Sequence, residues 1–125
     1  MSALQQFENQ QYICIETFRK NGQAVKTPTW FVLEQETLLV WTEASSGKVK
    51  RIRNNGKTNI VPSRGDGAPV GEWVSTIVEM DDSIEVLKDT RQKLKRKYGF
   101  IFNMFELLGR MRRAQYTSLK IRVVR

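Results

Sequence analysis

The feature that most constrains the fold is a series of six short β-type segments joined by turn residues. The segments run from Tyr12 to Phe18, Val25 to Leu33, Thr37 to Thr42, Thr58 to Pro62, Glu72 to Met80 and Tyr116 to Val124. Helical patterns interrupt this series only twice, after the third segment and before the sixth. A parallel sheet needs a helix between successive strands, and this order does not supply one. The sequence therefore predicts a mainly β protein with flanking helices, in which six antiparallel strands form a small barrel.

The helices are predicted from their caps and from apolar periodicity. They are expected over residues 3–10, 47–53, 82–98 and 100–108. Ser46 is the predicted N-cap of the second helix, Asp82 begins the third, and Gly99 ends it. Pro28 lies inside the second β segment, which favours an edge strand or a bulge because proline cannot donate a hydrogen bond to a neighbouring strand.

The basic segment that begins at Ser46 is the main candidate for a binding site. It follows an apolar strand and passes from small polar residues into the helix over residues 47–53. A helix N-terminus presents free N–H groups and the positive end of the helix dipole, and both suit a phosphate. Lys48 and Arg51 are three residues apart, so they share a face of this helix. The alternative interpretation is a solvated helix face, and the glycine spacing of a phosphate-binding loop is absent.

Length and charge limit the classes of protein and partner. The 125 residues fit one domain that spans residues 1–125, and the net charge is +8 with a pI of about 9.9. Such a chain should attract anions. Nucleic acid is one candidate partner, and a phosphorylated cofactor with an anionic tail is another.

The sequence offers few groups for acid–base or metal chemistry. It contains no histidine and one cysteine, Cys14, which lies in an apolar run and is expected to be a core residue. We therefore predict no metal site and no catalytic side chain, and we expect a bound cofactor to carry any chemistry. The single cysteine and the lack of a signal-peptide core or long apolar run predict a cytoplasmic location with no membrane partner.

Four motifs together carry a family resemblance. They are Thr27-Pro28-Thr29-Trp30-Phe31, Val40-Trp41-Thr42, Ser46-Gly47-Lys48-Val49-Lys50-Arg51-Ile52-Arg53-Asn54 and Gly71-Glu72-Trp73. This pattern resembles the pyridoxamine 5′-phosphate oxidase-like superfamily, and within it the small split-barrel proteins that bind FMN or a deazaflavin. The resemblance covers nearly the whole chain.

The resemblance implies a six-stranded antiparallel split β-barrel that forms a homodimer, with two cofactor sites at the dimer interface. The implied cofactor is FMN or a deazaflavin (coenzyme F-420). It also implies that Pro28, Thr29 and Trp30 lie along the ring system, and that Thr42, Ser46 and Lys48 hold the phosphate, with Lys50 and Arg51 near it.

Three functions stay open at this point. The first is an oxidoreductase that uses the bound cofactor for hydride transfer to or from a small organic substrate. The second is a flavin- or tetrapyrrole-binding carrier or sequestering protein without turnover. The third is a basic nucleic-acid-binding barrel, which is disfavoured because no aromatic residues are interleaved with the basic blocks. The net charge of +8 modestly favours the deazaflavin, which carries an acidic tail as well as a phosphate.

Overall fold

A computed structural model describes residues 3–124 of the chain. Within this range the strands are β1 (Tyr12–Phe18), β2 (Ala24–Thr29), β3 (Val32–Glu34), β4 (Thr37–Glu43), β5 (Lys57–Ser63), β6 (Val74–Asp81) and β7 (Tyr116–Val123). The helices are a short 3-10 turn (Gln5–Phe7), α1 (Gly47–Asn54), α2 (Ile84–Tyr98) and α3 (Phe100–Met111). None of the helices in the described range is long and apolar enough to cross a bilayer.

The strands form one antiparallel sheet in the order β2-β1-β5-β6-β7-β4-β3. Only Trp30 and Phe31 separate β2 from β3 along the chain, yet these two strands lie at opposite edges of the sheet. Thr29 and Val32 are three residue steps apart, so at most about 10 Å of extended chain joins the two strands. The sheet must therefore curl until its two edges come close together, which gives a half-barrel and confirms the mainly β, antiparallel prediction.

The prediction of six strands is wrong, because the segment predicted as one strand over residues 25–33 forms two strands. Trp30 and Phe31 leave the sheet at the crossing between its edges. The Phe31 N–H donates to Tyr98 Oη at 3.0 Å, and the Phe31 carbonyl accepts from Lys97 Nζ at 2.8 Å. Since α2 satisfies these backbone groups, the chain can leave one edge of the sheet and join the other without losing hydrogen bonds.

The hydrophobic core is built from the inward-facing positions of the curled sheet. The core residues occupy alternate positions along β1, β4 and β7, as the period of a strand requires, and residues on the other face of these strands such as Cys14, Leu39 and Ser118 are buried as well. The fully buried members from these strands are Ile13, Ile15, Leu38, Val40, Leu119 and Ile121. Val49 and Ile52 of α1 are also buried, so this basic helix is fixed to the barrel by one face and directs its charged faces elsewhere.

The other element predictions have mixed outcomes. Pro28 lies in β2, which is an edge strand as predicted. The N-cap of α2 is Ser83 rather than Asp82, and its Oγ accepts the Val86 N–H at 3.4 Å. The N-terminal helix is reduced to the 3-10 turn, and α3 extends beyond the predicted end to Met111.

Gly99 sets the direction in which α3 leaves α2. It adopts φ 62° and ψ −130°, a conformation that residues with a side chain rarely reach. We expect Gly99→Ala to destabilise the protein by about 1–3 kcal/mol through backbone strain alone, since a Cβ there meets no atom within 4 Å. Urea unfolding followed by circular dichroism measures this free energy.

Gly56→Ala is the matched control, because Gly56 has no positive φ and its added Cβ would make an ordinary contact. If both variants lost the same stability, the conformation of Gly99 would not be the cause.

Candidate functional site

An open cleft of about 350 Å³ lies where the β2–β3 crossing, β4 and the helices α2 and α3 meet. It is lined by Tyr12, Pro28, Thr29, Trp30, Trp41, Thr42, Glu43, Leu94, Phe102, Phe105, Arg112 and Tyr116. We call it the aromatic cleft. Four of the eight predicted site residues line it, namely Pro28, Thr29, Trp30 and Thr42.

Trp30 is the centre of one aromatic group in this cleft. Its ring stacks on Tyr98, with the centroids 4.4 Å apart and the planes at 11°. The edge of Phe105 meets the same ring at 5.0 Å. Because Tyr98 belongs to α2 and Phe105 to α3, both long helices hold the Trp30 ring in place.

Trp41 is the centre of a second aromatic group. It stacks on Tyr116 at 3.7 Å with the planes at 11°, and Phe102 packs against it at 5.2 Å. Gly109 of α3 is buried beside this group, where a Cβ would lie 3.1 Å from Tyr116 Cζ and closer still to its Oη. The glycine therefore allows the Tyr116 ring to pass under α3 and stack on Trp41. Two such groups give the cleft flat apolar walls of the kind that hold planar ligands.

Tyr98 ties the first group to the backbone of the crossing. Its Oη lies 3.0 Å from the Phe31 nitrogen and 2.7 Å from the Gln11 carbonyl oxygen. Burial raises the pKa of the Tyr98 phenol, although the Phe31 backbone hydrogen bond acts in the opposite direction. The hydroxyl stays neutral around pH 7 and can both accept and donate.

The N-terminus of α1 presents an unsatisfied hydroxyl. Ser46 has the extended backbone of an N-cap, with φ −67° and ψ 155°, but its side chain makes no capping hydrogen bond. Its Oγ is buried and has no hydrogen-bond partner among the described residues. A buried polar group without a partner costs about 1–3 kcal/mol, so a hydroxyl in this position suits a bound ligand that supplies the missing bond.

Two cations follow this hydroxyl, Lys48 on the first turn of α1 and Arg51 on the second. Desolvation lowers the pKa of the largely buried Lys48 amine, and the charge of Arg51 lowers it further, while Glu43 raises it. The Arg51 Nε donates to Thr17 Oγ1 at 2.6 Å. Its guanidinium also reaches back across the first turn, since a Cβ on Gly47 would lie 2.8 Å from Arg51 Nη1.

We define the α1 anion site as Ser46, Gly47, Lys48 and Arg51. It combines the free N–H groups of a helix start, two cations and one unpartnered hydroxyl. Lowered lysine and arginine pKa values are expected where positive groups are crowded and desolvated without enough counter-charge. An anion bound here would relieve both the crowding and the missing hydrogen bond.

Lys50 points away from this site. It lines a separate groove of about 580 Å³ between α1 and the connection from α3 to β7. Arg53, Arg112 and Arg113 line the same groove, which we call the basic groove. Arg112, which pairs with Glu43 at 2.5 Å, lines both the basic groove and the aromatic cleft, so the two depressions adjoin.

The structure thus divides the eight predicted site residues into three neighbouring groups: four in the aromatic cleft, three in the α1 anion site and Lys50 in the basic groove. Sequence reasoning missed Phe102, Phe105 and Tyr116 as cleft residues, and it missed Tyr98 as the ring that stacks on Trp30. Phe102 and Phe105 are three residues apart on a predicted helix. This spacing indicates that they lie near each other on the helix, but it does not identify the residues that they contact. What they would contact depends on chain segments far away in the sequence.

Comparisons with known proteins bear on the fold. No protein-family model matches the sequence, and no curated protein matches it significantly. Solved structures do match. A candidate pyridoxamine 5′-phosphate oxidase from Listeria innocua superimposes with a TM-score of 0.69 at 11% identity, over 98% of this chain and 90% of that one. An F-420 reductase superimposes with a TM-score of 0.67 at 16% identity, over 98% of this chain and 93% of that one.

A haem storage protein from Vibrio cholerae superimposes with a TM-score of 0.72 at 11% identity, over 94% of this chain and 84% of that one. The chain has the pyridoxamine 5′-phosphate oxidase-like split-barrel fold. The proteins that share this split barrel with it include flavin-type oxidoreductases and haem-storage proteins. The resemblance stated from the motifs is therefore confirmed at the level of the fold.

Gly109→Ala tests how the second aromatic group is built. The added Cβ would collide with Tyr116, so we expect the ring to lose its stacking on Trp41 and the protein to lose about 1–3 kcal/mol of stability. Near-ultraviolet circular dichroism reports the stacking, and urea unfolding reports the stability.

Tyr116→Phe removes the oxygen that lies nearest to the added Cβ. In that background Gly109→Ala should cost less, because only the more distant ring carbons remain in contact. An equal cost in both backgrounds would mean that Tyr116 is not the residue displaced.

Proposed function

We propose that this protein binds the phosphate of FMN or of a deazaflavin at the α1 anion site, holds the ring system in the aromatic cleft, and acts as an oxidoreductase. The observation that carries the proposal is the buried, unpartnered Ser46 Oγ beside Lys48 and Arg51 at a helix start. Thr42 lines the cleft and Ser46 follows it by four residues, so no more than about 14 Å of chain joins the two.

The residues of the chain suit the two parts of such a cofactor. Charge-assisted donors from Lys48 and Arg51, together with the N–H groups of α1, fit a phosphate. Trp30 and Trp41 supply flat apolar surfaces that would exclude water from a ring between them. The bound cofactor would supply the hydride chemistry, and the protein would orient it and the substrate. No side chain is required as an acid or base, and we assign none.

The basic groove favours the deazaflavin over FMN. FMN carries one phosphate, which the α1 anion site would satisfy. The groove adds Lys50, Arg53 and Arg113 next to the cleft, a surplus of positive charge that a longer acidic tail would use.

A carrier protein that binds a flavin or a tetrapyrrole without turnover is the second candidate, because a haem storage protein shares the fold. Hydride transfer to a quinone or enone by the loaded protein would separate these two functions.

The open side of the aromatic cleft also bears on the oligomeric state. We propose a homodimer with two cofactor sites at its interface, because the aromatic cleft is open to solvent on one side in the single chain. A second protomer would close it. Sedimentation should then give twice the chain mass of 14.5 kDa. A cytoplasmic location also stays a prediction.

Cofactor binding tests the proposal directly. We expect Lys48→Ala and Arg51→Ala each to weaken FMN binding roughly ten- to a hundredfold, since each removes a charge-assisted contact worth about 1.5–3 kcal/mol. Fluorescence titration of the purified protein with FMN, and separately with the deazaflavin coenzyme, measures both affinities.

Lys57→Ala is the matched control, because Lys57 is exposed on β5 and its substitution removes the same charge. Arg53→Ala should weaken binding of the deazaflavin more than binding of FMN, since only the deazaflavin has a tail. Equal losses in the control and in the Lys48 variant would refute a specific phosphate site.

The pH dependence of binding gives an independent test. Lys48 has a lowered pKa because of burial and the nearby Arg51 charge, and only its protonated form attracts a phosphate. Affinity should therefore fall as the pH rises through this lowered value, at lower pH than an ordinary lysine would give. Isothermal titration calorimetry between neutral pH and pH ~10, above the second phosphate pKa of about 6, follows this change.

In the Lys48→Arg variant the side chain at position 48 stays charged throughout this pH range. The affinity of this variant should therefore change less with pH than that of the wild type. A wild-type profile that is already flat would contradict titration of Lys48 as the cause of the pH dependence.

A further inference from the structure

One face of α3 is an exposed apolar surface. Among the described residues, twelve large apolar side chains are exposed, and seven of them lie on this helix with 52–74% of their surface accessible. They are Phe100, Ile101, Met104, Phe105, Leu107, Leu108 and Met111. Phe105 packs on Trp30 and belongs to the aromatic cleft. At 3.6 residues per turn the other six positions fall within one arc of about 120°. We call this arc the α3 apolar face.

The face cannot be buried by turning the helix. Phe102 and Gly109 on the opposite side are buried, where they pack against Trp41 and Tyr116. Glu106 lies on the same inner side and pairs with Arg91 of α2. Because these contacts fix the rotation of α3, the apolar face stays directed outward.

Basic residues surround the α3 apolar face. Arg110, Arg112 and Arg113 are exposed at the C-terminal end of α3, and Lys95 and Arg96 are exposed on the last turn of α2 just before it. The single acidic residue of α3 is Glu106, which already faces Arg91 and Arg110. Because Arg112 pairs with Glu43 and Arg110 with Glu106, the net positive charge of the rim is carried by Lys95, Arg96 and Arg113.

A symmetric contact with a second copy suits this surface poorly. A two-fold interface places the same patch on both partners, so the two basic rims would be brought together. Like charges brought together at an interface oppose association. An anionic lipid surface would instead neutralise the rim with its phosphates while its acyl boundary accepts the apolar side chains.

We propose that the α3 apolar face docks the protein on the surface of an anionic membrane. An apolar face bordered by lysine and arginine is the pattern of helices that lie in the plane of a membrane interface. Basic residues near such a surface add attraction that falls off within a Debye length, so the binding is sensitive to salt. An interfacial helix needs no bilayer-spanning segment, so this proposal replaces the sequence-based expectation of no membrane partner. It does not depend on which cofactor is bound.

Vesicle sedimentation tests this docking. The full chain should bind vesicles of mixed phosphatidylglycerol and phosphatidylcholine, and should bind pure phosphatidylcholine or the mixed vesicles at high salt much less. The combined variant Ile101→Asp and Leu108→Asp should lose about tenfold or more of the binding, because two charges would enter the apolar boundary. Neither residue lines the aromatic cleft.

The matched control is Val70→Asp with Ile77→Asp, two exposed apolar residues away from α3. It should keep vesicle binding. A second variant, Lys95→Gln with Arg113→Gln, should weaken binding to anionic vesicles while leaving the apolar face intact. Circular dichroism and sedimentation of each variant alone report folding and mass.

Failure of the wild-type chain to bind anionic vesicles at low salt would overturn the proposal. An equal loss in the control would do the same. A change from dimer to monomer in the Ile101 and Leu108 variant would show that a second copy covers this face, and would also overturn it.

Discussion

The arrangement of this molecule depends on how the backbone of Phe31 is satisfied. Tyr98 accepts its N–H, and Lys97 donates to its carbonyl. These bonds replace the strand pairing that the crossing segment gives up when it leaves β2 for β3. Without them, two polar backbone groups would be buried without partners beside the core ring of Phe31. These hydrogen bonds therefore allow the sheet to curl until its two edge strands, β2 and β3, are joined by only Trp30 and Phe31.

The same crossing places the candidate site. It puts Trp30 against Tyr98 and Phe105 at one end of the cleft, while β4 carries Trp41 and Thr42 along the other side. Because β4 leads directly into α1, only a few residues of the chain separate the cleft from the α1 anion site. Apolar walls and a positive helix start are thus held by one rigid barrel, which is what a phosphorylated ring cofactor requires.

The sequence predicted the parts whose signals are local. Strand periodicity located β1 and β7 almost to the residue, and the extended backbone of Ser46 confirms the helix start. The division at Trp30 and Phe31 was missed because the partners that permit it, Lys97 and Tyr98, lie far along the chain. For the same reason the aromatic walls could not be assembled, since stacking depends on tertiary contacts. The unpartnered Ser46 hydroxyl was also beyond prediction, because N-cap statistics favour a side-chain hydrogen bond.

The central claim is that the start of α1 and the aromatic cleft hold one phosphorylated ring cofactor. A crystal structure of the protein soaked with FMN tests it most directly. The account predicts a phosphate oxygen within hydrogen-bond distance of Ser46 Oγ and Lys48 Nζ, with the ring beside Trp30 or Trp41. A phosphate bound instead in the groove of Lys50 and Arg53, or a ring outside the cleft, would contradict it.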